Sequence, residues 1–205
     1  MPGPAYRIVT PRLVIRCWSP ADAPLLQTAI TESLPHLSTW MVWTKQEPEP
    51  IDAKIERLRQ YRAHFDLGED FVYGIFDPSE SRVLGGTGLH PRVGPEATEI
   101  GYWIHGDHIR KGLATEAAGA LTRVALEILG LARVEIHCSP ENVASASVPK
   151  KLGYVHEATL RQRVRAGEGS LRDTMIWSIL APELPTSAAA RQELSAFDAA
   201  ERRIL

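Results

Sequence analysis

The stretch from Glu99 to Ala117 concentrates residue types that could hold a charged ligand. An alternating apolar run reaches Ile104. The segment His105-Gly106-Asp107-His108-Ile109-Arg110-Lys111-Gly112 follows, and a helical pattern opens at once with Leu113-Ala114-Thr115-Glu116-Ala117. The first N–H groups of a helix have no internal carbonyl partners and carry the positive end of its dipole. A glycine-containing turn feeding such a start can cradle a phosphate or diphosphate. Gly112 permits close approach of the backbone, and Arg110 and Lys111 add positive charge. The same pattern also fits an ordinary strand-to-helix turn with solvated basic residues.

Other residues with chemical potential fit less well. No GxxxxGK[ST] run occurs. Gly85-Gly86-Thr87-Gly88 is followed by His90-Pro91 rather than a helix, so it reads as a tight or bulged strand and not as a dinucleotide fingerprint. His105, Asp107 and His108 lack metal-site spacing and a third ligand group, and no metal is expected. His137 and Cys138 are adjacent on a strand, so they point to opposite faces and read as cleft wall or core rather than a catalytic pair. Arg161, Arg163 and Arg165 alternate along one strand face. They read as solvated charges that could attract an acidic peptide, an RNA-bearing particle or a partner subunit.

Positioning these residues takes a folded scaffold. The 205 residues suit one domain of ordinary size, and 44% apolar with 23% charged residues is a globular composition. A net charge of −2 gives no bulk attraction to nucleic acid or anionic membrane. No apolar run approaches the ~20 residues that span a bilayer. The first residues, Met1 to Arg7, lack the apolar core of a signal peptide. Cys17 and Cys138 form no zinc pattern and read as reduced thiols of a cytoplasmic protein, with a single disulfide left open.

Hydrophobic periodicity predicts a strand over 6–18, then a helix from Ser19-Pro20 to about Glu32. A loop carries Trp40, Met41 and Trp43, and a helix over 52–67 has a stripe of Ile55, Leu58, Tyr61 and Phe65. Strands over 71–76, 83–90 and 96–104 read as an antiparallel meander. A long helix from Lys111 to Gly130, a strand over 134–138, a helix over 142–152 and strands over 154–165 and 170–180 follow, the last two joined by the turn Ala166-Gly167-Glu168-Gly169. This order predicts a mixed α/β layered sheet as one domain over residues 1–182. Residues 183–205 form a tail that reads as an amphipathic helix, with Leu194, Phe197, Ile204 and Leu205 packing on the domain or on a second subunit.

Three motifs in order carry a resemblance. Ile109-Arg110-Lys111-Gly112-Leu113-Ala114-Thr115-Glu116-Ala117 resembles the acetyl-CoA diphosphate loop of the GNAT N-acetyltransferases. Asn142-Val143-Ala144-Ser145 with Lys150-Lys151-Leu152-Gly153-Tyr154 is similar to that family's Asn-x-x-Ser helix. Thr10-Pro11-Arg12-Leu13-Val14-Ile15-Arg16 resembles the opening of its RimJ/RimL-like branch, as do the Trp40–Trp43 loop and the closing hairpin with Arg172-Asp173. The resemblance covers roughly 10–180. It implies the GNAT fold: a central, mostly antiparallel sheet with helices on both faces, and acetyl-CoA held in a splay between two strands.

On that resemblance, Trp103 and Ile104 offer main-chain groups to the pantetheine and thioester. Amides of Arg110, Lys111, Gly112, Leu113, Ala114 and Thr115 hold the diphosphate, and Asn142 and Ser145 contact the cofactor. Two departures stand out: Ile109 sits where the family often has Gln or Arg, and Pro149 where many members have a Tyr that acts as general acid for the departing thiolate. The acid role therefore falls on Ser145 and the base role on Glu99, which alternation places on one face with Gly101 and Trp103. Packing of Ser145 and an ion pair at Glu99 are the competing readings. Trp40 and Trp43 are the candidates for acceptor contact.

The implied reaction is attack of a neutral amine on the thioester. At pH 7 on the order of 15% of an α-amine is neutral, against well under 0.1% of a lysine, a difference of about 3–4 kcal/mol. The branch implies a protein N-terminal α-amine as acceptor, as in ribosomal-protein acetylation. A small amine, an amino acid or an antibiotic is the alternative, and a non-catalytic CoA-binding module the alternative of another class. Neither direct nucleic-acid nor membrane binding is expected, and a homodimer is left open.

Overall fold

A computed structural model describes residues 4–165 and 169–205; the expected turn at Ala166-Gly167-Glu168 and the first three residues lie outside them. The strands are β1 (Arg7–Val9), β2 (Val14–Cys17), β3 (Phe71–Phe76), β4 (Val83–His90), β5 (Ala97–Ile104), β6 (Arg133–Cys138), β7 (Val155–Arg165), β8 (Leu171–Leu180) and β9 (Ser195–Phe197). The α-helices are α1 (Ala23–Leu37), α2 (Ile51–Leu67), α3 (Leu113–Arg123) and α4 (Val143–Leu152). All nine strands form one sheet in the order β7-β8-β6-β5-β4-β3-β2-β1-β9, antiparallel throughout except for β5 against β6.

Alternation along the strands sorts side chains onto two faces. Ile15 joins a large apolar cluster with Leu113, Ala117 and Leu121 of α3 and Val148 and Leu152 of α4. Its neighbour Val14 joins the opposite cluster with Leu26 and Ile30 of α1 and Leu58 of α2. Helices therefore cover both faces, as the family resemblance implies.

The sequence expectations need five corrections. The strand expected over 6–18 is two strands, because the Thr10 N–H bonds the Leu13 carbonyl and closes a tight turn around Pro11-Arg12. The first helix runs on to Leu37, with Ser19 and Asp22 forming a capping box ahead of it. The long helix is α only to Arg123 and continues as a π-type turn over Val124–Ile128.

The tail is not an amphipathic helix. It makes two short 3-10 turns and then β9, which pairs with β1, and its Leu194, Ile204 and Leu205 pack on the domain's own core. Its apolar residues match a helical period, but Pro182 and Pro185 break the run, and the edge of β1 offers unpaired backbone groups.

The α2 stripe is also displaced. Ile55 is exposed, while Lys54 is wholly buried in its place. The Lys54 ammonium reaches both carboxylate oxygens of Glu47 at 2.6 and 2.7 Å and lies 3.5 Å from Glu49. The acidic residues of the Glu47-Pro48-Glu49-Pro50 run thus make an apolar-stripe position suitable for a cation. The pair pins the loop carrying Trp40 and Trp43 onto α2.

Breaking such a buried pair leaves an uncompensated charge. Lys54→Met is expected to lower unfolding free energy by about 3–5 kcal/mol in denaturant titration. A loss below about 1 kcal/mol would match an exposed pair instead.

Candidate active site

β5 and β6 are paired only over Ala97↔Arg133, Thr98↔Val134 and Glu99↔Glu135. Beyond this, β5 stays on β4 as far as Ile104, and β6 stays on β8 as far as Cys138. Each strand keeps one ladder and loses the other, so a gap opens in the middle of the sheet. It forms part of a cleft of about 970 Å³ whose lining includes Glu99, Trp103, Cys138, Asn142 and Ser145. Trp40 and Trp43 line the same cleft. Six of the residues expected from the sequence therefore meet: Glu99, Trp103, Asn142, Ser145, Trp40 and Trp43. Ile104 and residues 110–115 do not line this cleft; they lie where β5 leads into α3.

On the α3/α4 side of the gap, Asn142 caps α4: its Oδ1 accepts the Ser145 N–H at 3.0 Å. That role spends its carbonyl and leaves its NH2 group as a donor for a ligand. Inside α4, Pro149 has no N–H, so the Ser145 carbonyl four residues earlier loses its helical partner. The Tyr102 hydroxyl fills the vacancy, donating to that carbonyl at 3.1 Å and lying 3.2 Å from Ser145 Oγ. Burial pushes the Tyr102 phenol well above its ordinary value, only partly offset by the Ser145 bond. It is an O–H donor throughout the neutral range.

Sequence reading did not single out Tyr102. The signal was there: alternation puts it opposite Trp103, and a proline at 149 requires a replacement donor. Cys138 is on the same side. Burial raises its thiol above the ordinary value, so it is not an activated nucleophile.

The other side of the gap carries Glu99, Glu135 and His137. The parallel register sets Glu99 beside Glu135, and His137 lies two residues on. Arg92 grips Glu99 with two bonds of 2.8 and 2.7 Å. His137 Nε2 lies 2.6 Å from Glu135, and its Nδ1 lies 3.4 Å from Glu99. Burial of Glu99 would raise its pKa, but the Arg92 bond and charge, with His137 and His90, outweigh it and hold the carboxyl below its usual range. Arg92 lies in an irregular turn with no sequence signal to mark it.

The glycines of β4 serve this side as well. A Cβ on Gly86 would sit 2.5 Å from the Trp103 indole nitrogen, so the glycine lets the ring lie across the strand. Trp43 stacks obliquely on it, with ring centres 6.3 Å apart. The Arg172 guanidinium lies 5.4 Å from the Trp40 ring centre and donates to the Thr39 carbonyl at 2.8 Å. Arg163 and Arg165 reach the cleft wall too. The regular alternation expected for Arg161, Arg163 and Arg165 is broken by a bulge between Leu160 and Val164, where Gln162 takes φ 51°.

Ahead of α3, Arg110 has φ 60° and Gly112 has φ 80°. This left-handed pair flanks the exposed Lys111. The first α3 backbone bond runs from the Glu116 N–H to the Gly112 carbonyl at 3.0 Å, so the N–H groups of Leu113, Ala114 and Thr115 stand outside the helix ladder. Such an arrangement is a nest for an anion. Burial, then Lys111 and His105, lower the His108 pKa, as a cationic surrounding requires. His105 holds the turn, with Nε2 at 2.9 Å from Glu32 and Nδ1 accepting the Asp107 N–H at 3.2 Å. Among the described residues, no group of three or more His, Cys, Asp or Glu could hold a metal ion.

Residues 12–155 match the family model described as an acetyltransferase (GNAT) domain. YdaF of Bacillus subtilis (strain 168), provisionally named a ribosomal N-acetyltransferase, is 30% identical over 85% of this chain and 94% of its own length. The [ribosomal protein uS5]-alanine N-acetyltransferase of Escherichia coli (strain K12) is 25% identical over 88% of this chain and 93% of its own. The fold is shared with Mycobacterium smegmatis RimJ, solved in complex with CoA-disulfide, at TM-score 0.78 and 23% identity, covering 91% of each chain.

Two outcomes follow from this geometry. Gly112→Asp puts a side chain and a negative charge where the backbone is left-handed, and is expected to weaken coenzyme A binding at least about tenfold. Unchanged affinity by calorimetry would remove this turn from diphosphate binding. Arg92→Gln takes away what holds the Glu99 carboxyl low, so burial dominates and its pKa rises. If Glu99 must be ionised for turnover, the acidic fall of kcat/KM then moves to higher pH while the alkaline side stays. An unmoved profile would exclude that role.

Proposed function

The chain belongs to the GNAT acetyltransferase family, and on that premise we propose that it acetylates the α-amine at a protein N terminus. As a family member it is an acetyl-CoA-dependent N-acetyltransferase. The acceptor reading rests above all on one observation: the carboxylate at the gap, Glu99, takes two bonds from the Arg92 guanidinium, which stabilises its ionised form and makes it a weak base. A weak base suits an amine that is partly neutral already. It does not suit lysine, whose deprotonation costs about 3–4 kcal/mol more at pH 7. The Escherichia coli relative is named for an alanine of ribosomal protein uS5 and YdaF for a ribosomal target, which supports a protein acceptor.

In this reading the turn over 110–115 holds the diphosphate of acetyl-CoA. The open edge of β5 at Trp103 and Ile104, with Asn142, guides the pantetheine arm into the gap. The amine enters from the side of Glu99, past Trp40 and Trp43. It attacks the thioester carbon, and its proton passes through water to Glu99. As the tetrahedral adduct collapses, the C–S bond breaks and the thiolate takes a proton from Ser145, whose Oγ lies 3.2 Å from the Tyr102 phenol; water then returns a proton to Ser145 and takes the one held by Glu99. Cys138, kept as a thiol, forms no acyl-enzyme, so both substrates are bound together when the acetyl group moves. A cytoplasmic setting is part of this reading, with both cysteines free. Among the described residues no helix is long and apolar enough to cross a membrane.

The test is thiol release from acetyl-CoA with a panel of free-N-terminal peptides, N-terminally blocked lysine peptides, amino acids and aminoglycosides. Turnover is expected on the free N termini, with intersecting double-reciprocal lines. Turnover on small amines alone would shift the acceptor class. Coenzyme A binding without turnover on any amine would favour a non-catalytic module.

A further inference from the structure

The Thr10-Pro11-Arg12 turn lies nearly a hundred residues before the anion nest, yet it touches it. Arg12 Nη1 donates to the Lys111 carbonyl at 2.8 Å. Its Nε and Nη2 each reach Glu116 Oε2 at 2.6 Å. The other oxygen, Glu116 Oε1, accepts the Thr10 hydroxyl at 2.7 Å and the Arg12 N–H at 3.1 Å. Glu116 is 7% exposed, in the first turn of α3, and both its oxygens are engaged. The Arg12 side chain is 51% exposed, and its Nη2 lies 3.5 Å from where a Gly112 Cβ would stand.

Without Arg12, a carboxylate at the head of α3 would oppose a bound anion. With it, that charge is matched, and the Lys111 peptide, which sits between the two left-handed residues, is tied down. A guanidinium has five N–H groups. Three are used in these bonds, leaving two on the exposed side beside the nest. Pro11 fixes the turn that aims the side chain there.

We propose that Arg12 is a binding and positioning residue of the acetyl-CoA site, clamping the Arg110–Gly112 nest and giving its two remaining N–H groups to the diphosphate. This rests on the reading that residues 110–115 hold that diphosphate. It assigns a role to the N-terminal motif that neither the cleft chemistry nor the helix start explains. A lysine can supply the charge but cannot bridge the Lys111 carbonyl and Glu116 together.

Calorimetric titration of coenzyme A and of dephospho-coenzyme A tests it, because both carry the diphosphate and only one the 3′-phosphate. Arg12→Ala is expected to raise both Kd values by the same factor, about tenfold or more, equivalent to roughly 1.4 kcal/mol. Arg12→Lys should keep the fold and raise both about threefold, a partial rescue that carries the test if the alanine variant does not fold. Kd values within twofold of wild type in the lysine and alanine variants would overturn the proposal. A loss confined to coenzyme A would also overturn it, by placing Arg12 on the 3′-phosphate. Failure of the wild-type protein to bind either compound would instead strike the donor reading beneath it.

Discussion

The separation of β5 from β6 is the constraint on which the rest of the site depends. They form the one parallel contact of the nine-stranded sheet, and they part after Glu99 and Glu135. Backbone groups in a sheet interior require partners, and each strand here has kept its antiparallel neighbour while surrendering the other ladder. The lips of the gap are therefore lined with unspent main-chain donors and acceptors. A pantetheine arm, with two amides along an extended chain, satisfies such lips as a third strand would. Parallel pairing also matters for what surrounds the gap. It requires a crossover between the strands, and here the crossover is α3, whose N-terminus falls at the end of β5. One topological choice thus supplies both the gap and the anion nest, which the proposed reading gives to the arm and to its diphosphate.

Because the gap passes through the sheet, its two sides can differ in chemistry. The α3/α4 side offers hydroxyl donors, Tyr102 and Ser145, with the phenol kept protonated by burial. The opposite side offers carboxylates and imidazole, with Glu99 kept ionised by Arg92. A reaction that takes a proton from one reactant and gives one to the other gains from this polarity, since each side begins the cycle in the protonation state its step requires. The substitution of proline at 149 does not remove the hydroxyl chemistry from the first side. It frees the Ser145 carbonyl, and that carbonyl draws the Tyr102 phenol in from β5.

What was legible in the sequence follows from how each part is encoded. The nest, the α4 cap and the strand carrying Glu99 are local: backbone geometry at Gly112, an Asn three residues before Ser145, alternation from Glu99 to Trp103. Local patterns survive in a one-dimensional reading. Arg92 and the buried Lys54 did not, and His137 was legible as cleft wall but not as a partner of Glu99 and Glu135, because each owes its role to a partner brought in by packing. Lys54 shows this most clearly, since periodicity alone gave the inward position to Ile55. The tail failed for a related reason. Its apolar spacing fits a helix, but the edge of β1 offers hydrogen bonds to the backbone that an isolated helix on the surface could not better.

This division also separates the two substrates. In the proposed reading the donor is held through backbone groups of one continuous strand–turn–helix passage, which Arg12 ties to the sheet edge, so a change there disturbs the fold itself. The cleft wall that this reading gives to the acceptor is assembled from side chains of separate segments: Trp40 and Trp43 from the α1–α2 connection, Arg92 before β5, Arg163 and Arg165 from β7 and Arg172 from β8. These meet at the rim of the cleft, with Trp43 alone also packed against the core, and the Lys54–Glu47 pair anchors the tryptophan loop from behind. The acceptor wall can therefore be rebuilt residue by residue while the donor site stays fixed. That asymmetry is the physical reason a single scaffold can keep one acetyl donor and serve different amines.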